Sequence, residues 1–305
     1  MGKTYLVKNL FAENYFDDYV YIDLKKDDDA RAFFSTTANA DKYLSYIEAR
    51  YGKKISNKLL LIFDEVQQCL NILSALKYFN QDHKDLPVIV TGSLVRLSIL
   101  REEKKEKNAN NFLFPVGQID SLEIYPLNFE EYLLNSNKVL LERIREAYKN
   151  KKALEYYEHE LAQNALYEFL AIGGMPEVVS VFLDEKSYVD ASSTRKEIYD
   201  NYISDMDTYN VSNETILKTR NIYRNIYNQL NKENKNFKVT QIEKGKSNRD
   251  YFNAYQWLEL AKVVYRSKKK TGKVTLPIIE EDEGLFRLYL SDPGMFVHQS
   301  SVNNV

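Results

Sequence analysis

The first half of the chain alternates between short apolar runs and longer amphipathic segments. Leu59–Phe63 is a run of five apolar residues between charged neighbours, which is typical of a strand buried on both faces of a parallel sheet. Tyr19–Asp23 and Pro87–Ser93 predict two further strands, and Asp41–Tyr51 and Cys69–Asn80 predict helices between the strands. Strands that alternate with helices in this way predict an α/β core built on a parallel sheet.

The pattern from Val139 to about Asn231 is almost wholly helical. Gly173–Pro176 interrupts it, and the proline stands where a new helix would begin. Just before this region, Asn128 followed by Glu131 is close to a capping box, which predicts the start of another helix. A mostly helical region therefore follows the α/β core.

The last third of the chain changes character. Ser247 or Asn248 can cap a helix, and Val263–Tyr265 and Val274–Leu276 flank a lysine-rich turn closed by Gly272. Helix, helix and hairpin is the order of a winged helix, which could contact nucleic acid through basic side chains. These are Lys268, Lys269, Lys270, Lys273 and Arg249. The alternative is a solvated lysine turn, because the chain is nearly neutral and no aromatic residues interleave the lysines.

Length and composition limit the class of protein. The 305 residues exceed what one compact core normally uses, so two domains are expected. A net charge of −2 gives the whole chain no general attraction to polyanions. Cys69 is the one cysteine, which excludes an internal disulfide and fits a reducing cytoplasm. No apolar run approaches the ~20 residues of a membrane span, so we expect a cytoplasmic protein without membrane contact.

Asp64 and Glu65 directly follow the most apolar predicted strand. They fall at its carboxyl end, where open α/β sheets place their ligands. This is the pattern of a Walker B segment, whose Asp holds Mg²⁺ and whose Glu orients and deprotonates an attacking water. Taken alone, the pattern favours a buried strand whose charged end reaches solvent, because apolar runs that end in acids are common.

Gly2-Lys3-Thr4 matches the last three residues of the P-loop pattern G-x-x-x-x-G-K-[ST]. In such a loop the lysine reaches the β- and γ-phosphates, the threonine hydroxyl binds Mg²⁺, and the next helix presents its N-terminus to the anion. Only Met1 precedes Gly2, so the first glycine of the pattern is absent and we expect the chain as given to bind ATP poorly. Together with the later Asp-Glu pair, the tripeptide nevertheless favours a nucleotide site over coincidence.

Several segments together resemble one family, the prokaryotic AAA-type ATPases that carry a DUF4143 domain after the P-loop core. The segments are Gly2–Thr4, Leu60–Gln67, Val90–Ser93, Phe114–Leu133, Ile172–Val179, Tyr199–Asp205, Asn231–Phe237 and Tyr289–Met295. The pairing of Tyr125-Pro126-Leu127 with Gly173-Gly174-Met175-Pro176 is far more specific than either Walker fragment. The resemblance implies a P-loop NTPase core of the additional-strand type, ATP and Mg²⁺ as ligands, a winged-helix middle region and a C-terminal nuclease-like domain.

The resemblance also implies roles for individual residues. By matching position these are Gly2, Lys3 and Thr4 for the phosphates, Thr4 and Asp64 for Mg²⁺, Glu65 for the attacking water and Ser93 for the γ-phosphate sensor, with Thr91 as the other sensor candidate. Gly117-Gln118 stands where the family usually has a glycine and a basic residue, and Arg96 and Arg101 are weak substitutes for an arginine finger. The chain also stops soon after Asp292–Gly294, so we expect a fragment truncated at both ends.

We therefore expect an ATPase core at 1–135, a helical region at 136–210 and a winged-helix part at 211–305. Two functions remain open. The first is Mg²⁺-dependent ATP hydrolysis that drives a conformational change in the winged-helix region. The second is a non-hydrolysing DNA- or protein-binding module on a degenerate ATPase scaffold. Glu65 favours the first, since a pure binding module needs no water-activating acid, whereas the incomplete P-loop favours the second.

Overall fold

The computed structural model describes residues 2–92, 117–209, 212–269 and 282–303. The chain forms two compact units, Met1–Ile124 and Tyr125–Val305. The sequence predicted boundaries near residues 135 and 210. The division into an ATPase core, a helical region and a winged-helix part stays a prediction.

A parallel sheet forms the centre of the first unit. Its strands are β1 (Asp18–Asp23), β2 (Leu59–Asp64) and β3 (Val88–Val90), in the order β1-β2-β3. Every residue of β2 is buried, because helices cover both faces of the sheet. Leu59, Leu61 and Phe63 pack into the main core, and Leu60 and Ile62 pack with Ala12 of α1 on the other face. This confirms the predicted α/β core. β3 is only half-buried, although its sequence predicted a buried strand. Within the described residues β3 pairs with β2 alone, so its other edge carries no strand.

Four helical segments accompany this sheet. They are α1, which is α-helical at Lys3–Tyr5 and Glu13–Tyr15 and π-helical at Leu6–Ala12 between them, α2 (Asp28–Ser35), α3 (Ala40–Tyr51) and α4 (Asn71–Asp82). Asp27 caps α2 by accepting a hydrogen bond from the Ala30 N–H at 2.9 Å. Phe34, Tyr43, Phe63 and Phe79 are fully or almost fully buried in the main core of this unit.

The second unit begins with a run of helices, which confirms the predicted helical region. They are α5 (Phe129–Ser136), α6 (Lys138–Asn150), α7 (Tyr156–Ile172), α8 (Pro176–Glu185), α9 (Tyr188–Tyr209) and α10 (Asn213–Leu230). Asn128 and Glu131 form the predicted capping box, with reciprocal hydrogen bonds of 2.9 and 2.8 Å. No helix in the described part of the chain combines the length and the apolar character needed to cross a membrane.

The end of the second unit mixes short helices with a two-stranded sheet. Its elements are single 3₁₀ turns at Val239–Gln241 and Arg249–Tyr251, α11 (Phe252–Leu260), β4 (Val264–Lys269), β5 (Asp282–Leu290) and α12 (Pro293–Asn303). β4 and β5 are antiparallel, and Val264 pairs with Leu290. The winged-helix assignment of this region stays a prediction.

The predicted hairpin turn beginning at Lys268 is wrong. Lys268 and Lys269 belong to β4, and Lys268 pairs with Phe286 in β5. Phe286 and Leu288 are 2% and 1% exposed, so β5 supplies the buried apolar face that anchors the pair. The return strand proposed at Val274–Leu276 lies outside the described residues, as does Lys270.

The apolar residues of Phe112–Val116 and Ile119–Tyr125 predict a last strand region from the sequence, and this prediction is wrong where the structure describes it. Residues 119–125 form neither helix nor strand, and Leu122 is 84% exposed. A strand needs a partner strand as well as an apolar pattern, and none of the described strands pairs with this segment. The other part of that prediction, Phe112–Val116, lies outside the described residues.

Three segments of the second unit meet at a glycine-rich backbone joint. Leu127 donates its N–H to the Gly174 carbonyl at 2.6 Å, and the Gly174 N–H donates to Asp292 Oδ2 at 2.6 Å. The other carboxylate oxygen of Asp292 accepts the Met295 N–H at 3.1 Å in the first turn of α12. Burial raises the pKa of Asp292, although these N–H donors act in the opposite direction. The specific pairing of the Tyr125–Leu127 and Gly173–Pro176 motifs therefore has a structural cause.

Candidate functional site

The carboxyl ends of the three parallel strands are held together by backbone hydrogen bonds beyond the regular ladder. Leu24 donates its N–H to the Asp64 carbonyl at 3.1 Å, which joins the ends of β1 and β2. Thr91, just after β3, donates to the Phe63 carbonyl at 2.8 Å and accepts from the Val66 N–H at 3.0 Å. These bonds fix the backbone on either side of the Asp64 side chain.

The Asp64 carboxylate accepts four hydrogen bonds. Oδ2 accepts from the Thr4 hydroxyl at 2.7 Å and from the Tyr21 hydroxyl at 2.7 Å. Oδ1 accepts from the Glu65 N–H at 2.9 Å and from the Thr91 hydroxyl. The hydrogen bond from Thr4 joins residues that lie 60 positions apart in the chain, so the fold brings the two predicted Mg²⁺ residues into direct contact.

The charge on Asp64 follows from this arrangement. Its side chain is buried, with 4% of the residue exposed, and burial by itself raises the pKa of a carboxyl group. Hydrogen bonds from Thr91, Thr4 and Tyr21 outweigh burial, so the pKa of Asp64 lies below its ordinary value. Asp64 is therefore an anion at neutral pH and can attract a cation.

The start of α1 lies beside this carboxylate. Gly2 adopts the left-handed conformation, with φ of 78°, and no side chain caps the helix that begins at Lys3. Glycine adopts this conformation without the steric penalty of a side chain. The first N–H groups of a helix have no partner inside it and carry a partial positive charge. The turn from Gly2 into α1 is therefore suited to an anion such as phosphate.

Glu65 occupies an unusual backbone conformation immediately after β2. Its φ of 55° and ψ of 41° lie in the left-handed region, which costs a residue with a side chain about 1–3 kcal/mol. Its carboxylate accepts a hydrogen bond from the Gln67 amide, and Glu65 is only half-buried. Such strain concentrates at functional sites, and here it turns the chain away from the strand direction directly after Asp64.

The structure places some of the predicted site residues and not others. Thr4 and Asp64 are in contact, and Gly2, Lys3 and Glu65 adjoin them along the chain. Ser93 lies outside the described residues. Thr91, the other sensor candidate, reaches Asp64 from the end of β3.

Sequence reasoning did not select Tyr21. Tyr21 lies in β1, next to β2, and burial together with its hydrogen bond to Asp64 raises the pKa of its phenol. The Lys8 ammonium nitrogen lies 5.0 Å from the centroid of the Tyr21 ring. One signal in the sequence could have identified Tyr21. It is a residue with a hydroxyl group, and it lies two positions before the end of β1, the strand next to the one that ends at Asp64.

The oxygen donors at this site suit a hard cation. Mg²⁺ is commonly held by one or two protein oxygens together with phosphates and waters, and Thr4 and Asp64 supply a hydroxyl and a carboxylate. Among the described residues there is no group of three or more His, Cys, Asp or Glu side chains that could hold a metal. The donor set therefore fits a metal shared with a phosphate ligand better than a metal enclosed by protein alone.

Two family models match the chain. Residues 1–133 match the AAA domain model AAA_14, and residues 163–305 match a domain of unknown function, DUF8612. The second match replaces the DUF4143 domain that the sequence resemblance implied.

Two proteins are similar over longer stretches. The uncharacterized protein MJ1544 of Methanocaldococcus jannaschii is 25% identical over 202 residues, which are 66% of this chain and 37% of that protein. The matched region thus spans little more than a third of that relative. The Walker-type ATPase PABY2304 of Pyrococcus abyssi has a similar structure, with a TM-score of 0.53, 13% identity, and coverage of 98% of this chain and 88% of that one. The AAA domain match thus covers residues 1–133, and the structural similarity shows a shared fold.

Proposed function

We propose that the first unit binds Mg²⁺-ATP and hydrolyses it, and that turnover changes the conformation of a winged-helix region in the second unit. The observation that carries this proposal is the 2.7 Å hydrogen bond between the Thr4 hydroxyl and Asp64 Oδ2. It joins the last residue of the Gly-Lys-Thr tripeptide to the first acid of the Asp-Glu pair. A chance tripeptide would have no reason to lie at the carboxyl end of the buried strand.

Thr4 and Asp64 can act together on a metal. The Thr4 oxygen has a lone pair for Mg²⁺ while its hydrogen remains donated to Asp64 Oδ2. Asp64 then orients the hydroxyl and adds a negative charge close to the cation. Bound Mg²⁺ neutralises phosphate charge during phosphoryl transfer. Thr91 and Tyr21 keep the carboxylate in one orientation through their own hydrogen bonds to it.

The neighbouring residues have separate roles in the proposal. Lys3 and the N–H groups after Gly2 bind the phosphates, since both present positive charge to the ligand. Glu65 orients and deprotonates the attacking water, and Ser93 serves as the γ-phosphate sensor. The left-handed backbone of Glu65 supports a functional role, because such strain concentrates at functional sites.

The order of elements in the second unit supports the winged-helix assignment. α10 is followed by a 3₁₀ turn, then by α11, and then by the antiparallel strands β4 and β5. The Phe237 N–H donates to the Phe286 carbonyl at 2.8 Å, so a segment before α11 attaches to β5.

Two substitutions separate binding from hydrolysis. In a form of the protein that carries a complete P-loop, Glu65→Gln should retain Mg²⁺-ATP binding and lose about 100-fold or more in turnover, because the base is removed and the metal residues remain. Lys3→Ala should weaken binding itself, since the cation facing the phosphates is lost. Calorimetric titration with Mg²⁺-ATP and steady-state phosphate release provide the two measurements.

Matched controls are the exposed residues Glu13 and Lys25, changed to Gln and Ala respectively. Both controls should keep wild-type binding and turnover. Wild-type phosphate release by Glu65→Gln would refute the role of Glu65 as the base. Unchanged affinity of Lys3→Ala would refute the phosphate site.

A further inference from the structure

The segment from Asn231 to Lys269 is strongly basic within a nearly neutral chain. It contains ten lysine and arginine residues and four acidic residues, whereas the whole chain has a net charge of −2. Three of its acids are engaged locally. Glu259 pairs with Arg266 of the same segment at 3.0 Å. Asp250 accepts hydrogen bonds from the Ser247 N–H at 2.7 Å and the Ser247 hydroxyl at 2.8 Å. Glu243 accepts from the Tyr251 hydroxyl at 2.8 Å. This excess of positive charge favours a polyanionic partner.

α11 and the 3₁₀ turn before it have two different faces. The inward face is buried and comprises Tyr251, Ala254, Tyr255, Trp257 and Leu258. The outward face, which we call the α11 face, comprises Arg249, Phe252, Asn253 and Gln256. These positions are spaced i, i+3, i+4 and i+7, as residues on one side of a helix are. Arg249, Phe252 and Asn253 are exposed and Gln256 is half-buried.

The segment that precedes α11 contains a basic turn. A 3₁₀ turn at Val239–Gln241 is followed by Gly245, whose φ is 80° and where an added Cβ would meet no atom within 4 Å. Glycine adopts this left-handed conformation without the steric penalty of a side chain. Lys218 on α10 holds the next element in place, because its ammonium donates to the Asp250 carbonyl at 2.8 Å. Lys244 and Lys246 flank the glycine, and Lys244 is exposed.

We propose that the α11 face binds duplex DNA in the major groove. Arg249 is suited to guanine, and Asn253 and Gln256 are suited to adenine, because these side chains match the hydrogen-bonding edges of those bases. Lys244 and Lys246 would contact phosphates. The nine residues of α11 span about 13 Å along the helix axis. An α-helix with its side chains is about 10–12 Å across, which fits the major groove of about 12 Å width. This inference rests on the winged-helix assignment of the proposed function, but it does not require ATP hydrolysis.

The composition of the α11 face separates DNA from other partners. A protein partner would be expected to find several large apolar anchors, and Phe252, at 51% exposure, is the one apolar residue on this face. Double-stranded RNA has a deep and narrow major groove that side chains cannot read. A polar helix face with a basic turn beside it therefore favours duplex DNA.

The test is fluorescence anisotropy with the 305-residue chain, without nucleotide, and a labelled pool of random-sequence 30-base-pair DNA duplexes. We expect binding at 50 mM salt that weakens steeply as salt rises. The double variant Lys244→Ala, Lys246→Ala should flatten the logarithmic salt slope by about 2, because two phosphate contacts are lost. After selection of the tightest sequences from the pool, Asn253→Ala should lower affinity for them about tenfold without changing the slope.

Two control variants make the outcome decisive. Lys149→Ala with Lys152→Ala removes two exposed lysines at and just after the end of α6 and should leave binding unchanged. Glu65→Gln should bind DNA like the wild type, so failure of the ATPase proposal would not affect this result. Absence of DNA binding at 50 mM salt would overturn the inference. So would an equal loss of affinity in the Lys149/Lys152 and Lys244/Lys246 double variants, or tighter binding to duplex RNA than to duplex DNA. Capture of a protein partner that Phe252→Ala abolishes, without DNA binding, would also overturn it.

Discussion

Gly174 lies where two backbone segments approach too closely for any side chain. A Cβ at this position would lie 3.0 Å from both the backbone carbon and the backbone nitrogen of Leu127, and closer still to the Leu127 carbonyl oxygen. All three atoms belong to the main chain, so no side-chain rotation can relieve the contact. The substitution Gly174→Ala must therefore move Leu127 and Gly174 apart.

That movement breaks identifiable interactions. The Leu127 N–H donates to the Gly174 carbonyl at 2.6 Å, and the Gly174 N–H donates to buried Asp292 at 2.6 Å. Overpacking in a tightly packed region costs about 1–3 kcal/mol, and a hydrogen bond lost from it adds about 1 kcal/mol. We expect Gly174→Ala to lower the free energy of unfolding of the second unit by about 3 kcal/mol.

Urea unfolding, monitored by tryptophan fluorescence, measures this change in the second unit. The chain has one tryptophan, Trp257, which lies in α11 and is 5% exposed, so its emission reports on the second unit. With a urea dependence of about 2 kcal/mol per molar, the midpoint should fall by about 1.5 M. Gly245→Ala is the control: its φ of 80° disfavours alanine, but its Cβ would meet open space, so a loss of about 1 kcal/mol is expected.

The comparison between the two glycines decides the interpretation. A midpoint for Gly174→Ala within 0.5 M of the wild type, on the order of 1 kcal/mol, would show that the Leu127 segment yields easily and that the joint is not tightly packed. An equal shift for both variants would show that backbone conformation rather than steric contact explains the glycine motif.

Two further predictions concern the Asp64 site and the lysine run that begins at Lys268. Tyr21→Phe removes one of the four donors to Asp64 and should raise the pKa of that carboxyl towards its ordinary value. The stabilisation that the Asp64 anion gives at higher pH would then be lost at a higher pH than in the wild type as the pH falls. NMR titration of the Asp64 side-chain carboxyl measures the pKa. An unchanged titration midpoint would refute the role of Tyr21. Neutralising Lys268, Lys269 and Lys270 together should flatten the logarithmic salt dependence of DNA binding by up to ~3, and an unchanged slope in the anisotropy assay would show that these lysines contact no phosphate.

Local elements followed closely from the sequence. The apolar run at 59–63 gave the buried strand, and the Asn128–Glu131 spacing gave the capping box. Both depend on residues within a few positions of each other, so local pattern is sufficient. Strand pairing was less predictable. β4 pairs with β5, which begins at Asp282, whereas the return strand predicted at 274–276 lies outside the described residues. The partner of a strand depends on which apolar face can be buried, and local pattern does not decide that.

The sequence by itself determined that Asp64 ends a buried strand and that a Gly-Lys-Thr tripeptide opens the chain. Only the tertiary structure decided which groups meet at that carboxylate. Thr4, Tyr21 and Thr91 come from three separate elements, and no spacing in the chain relates them. They converge because parallel strands align their carboxyl ends at one edge of the sheet, and because an ionised carboxylate taken out of water must be compensated by hydrogen-bond donors.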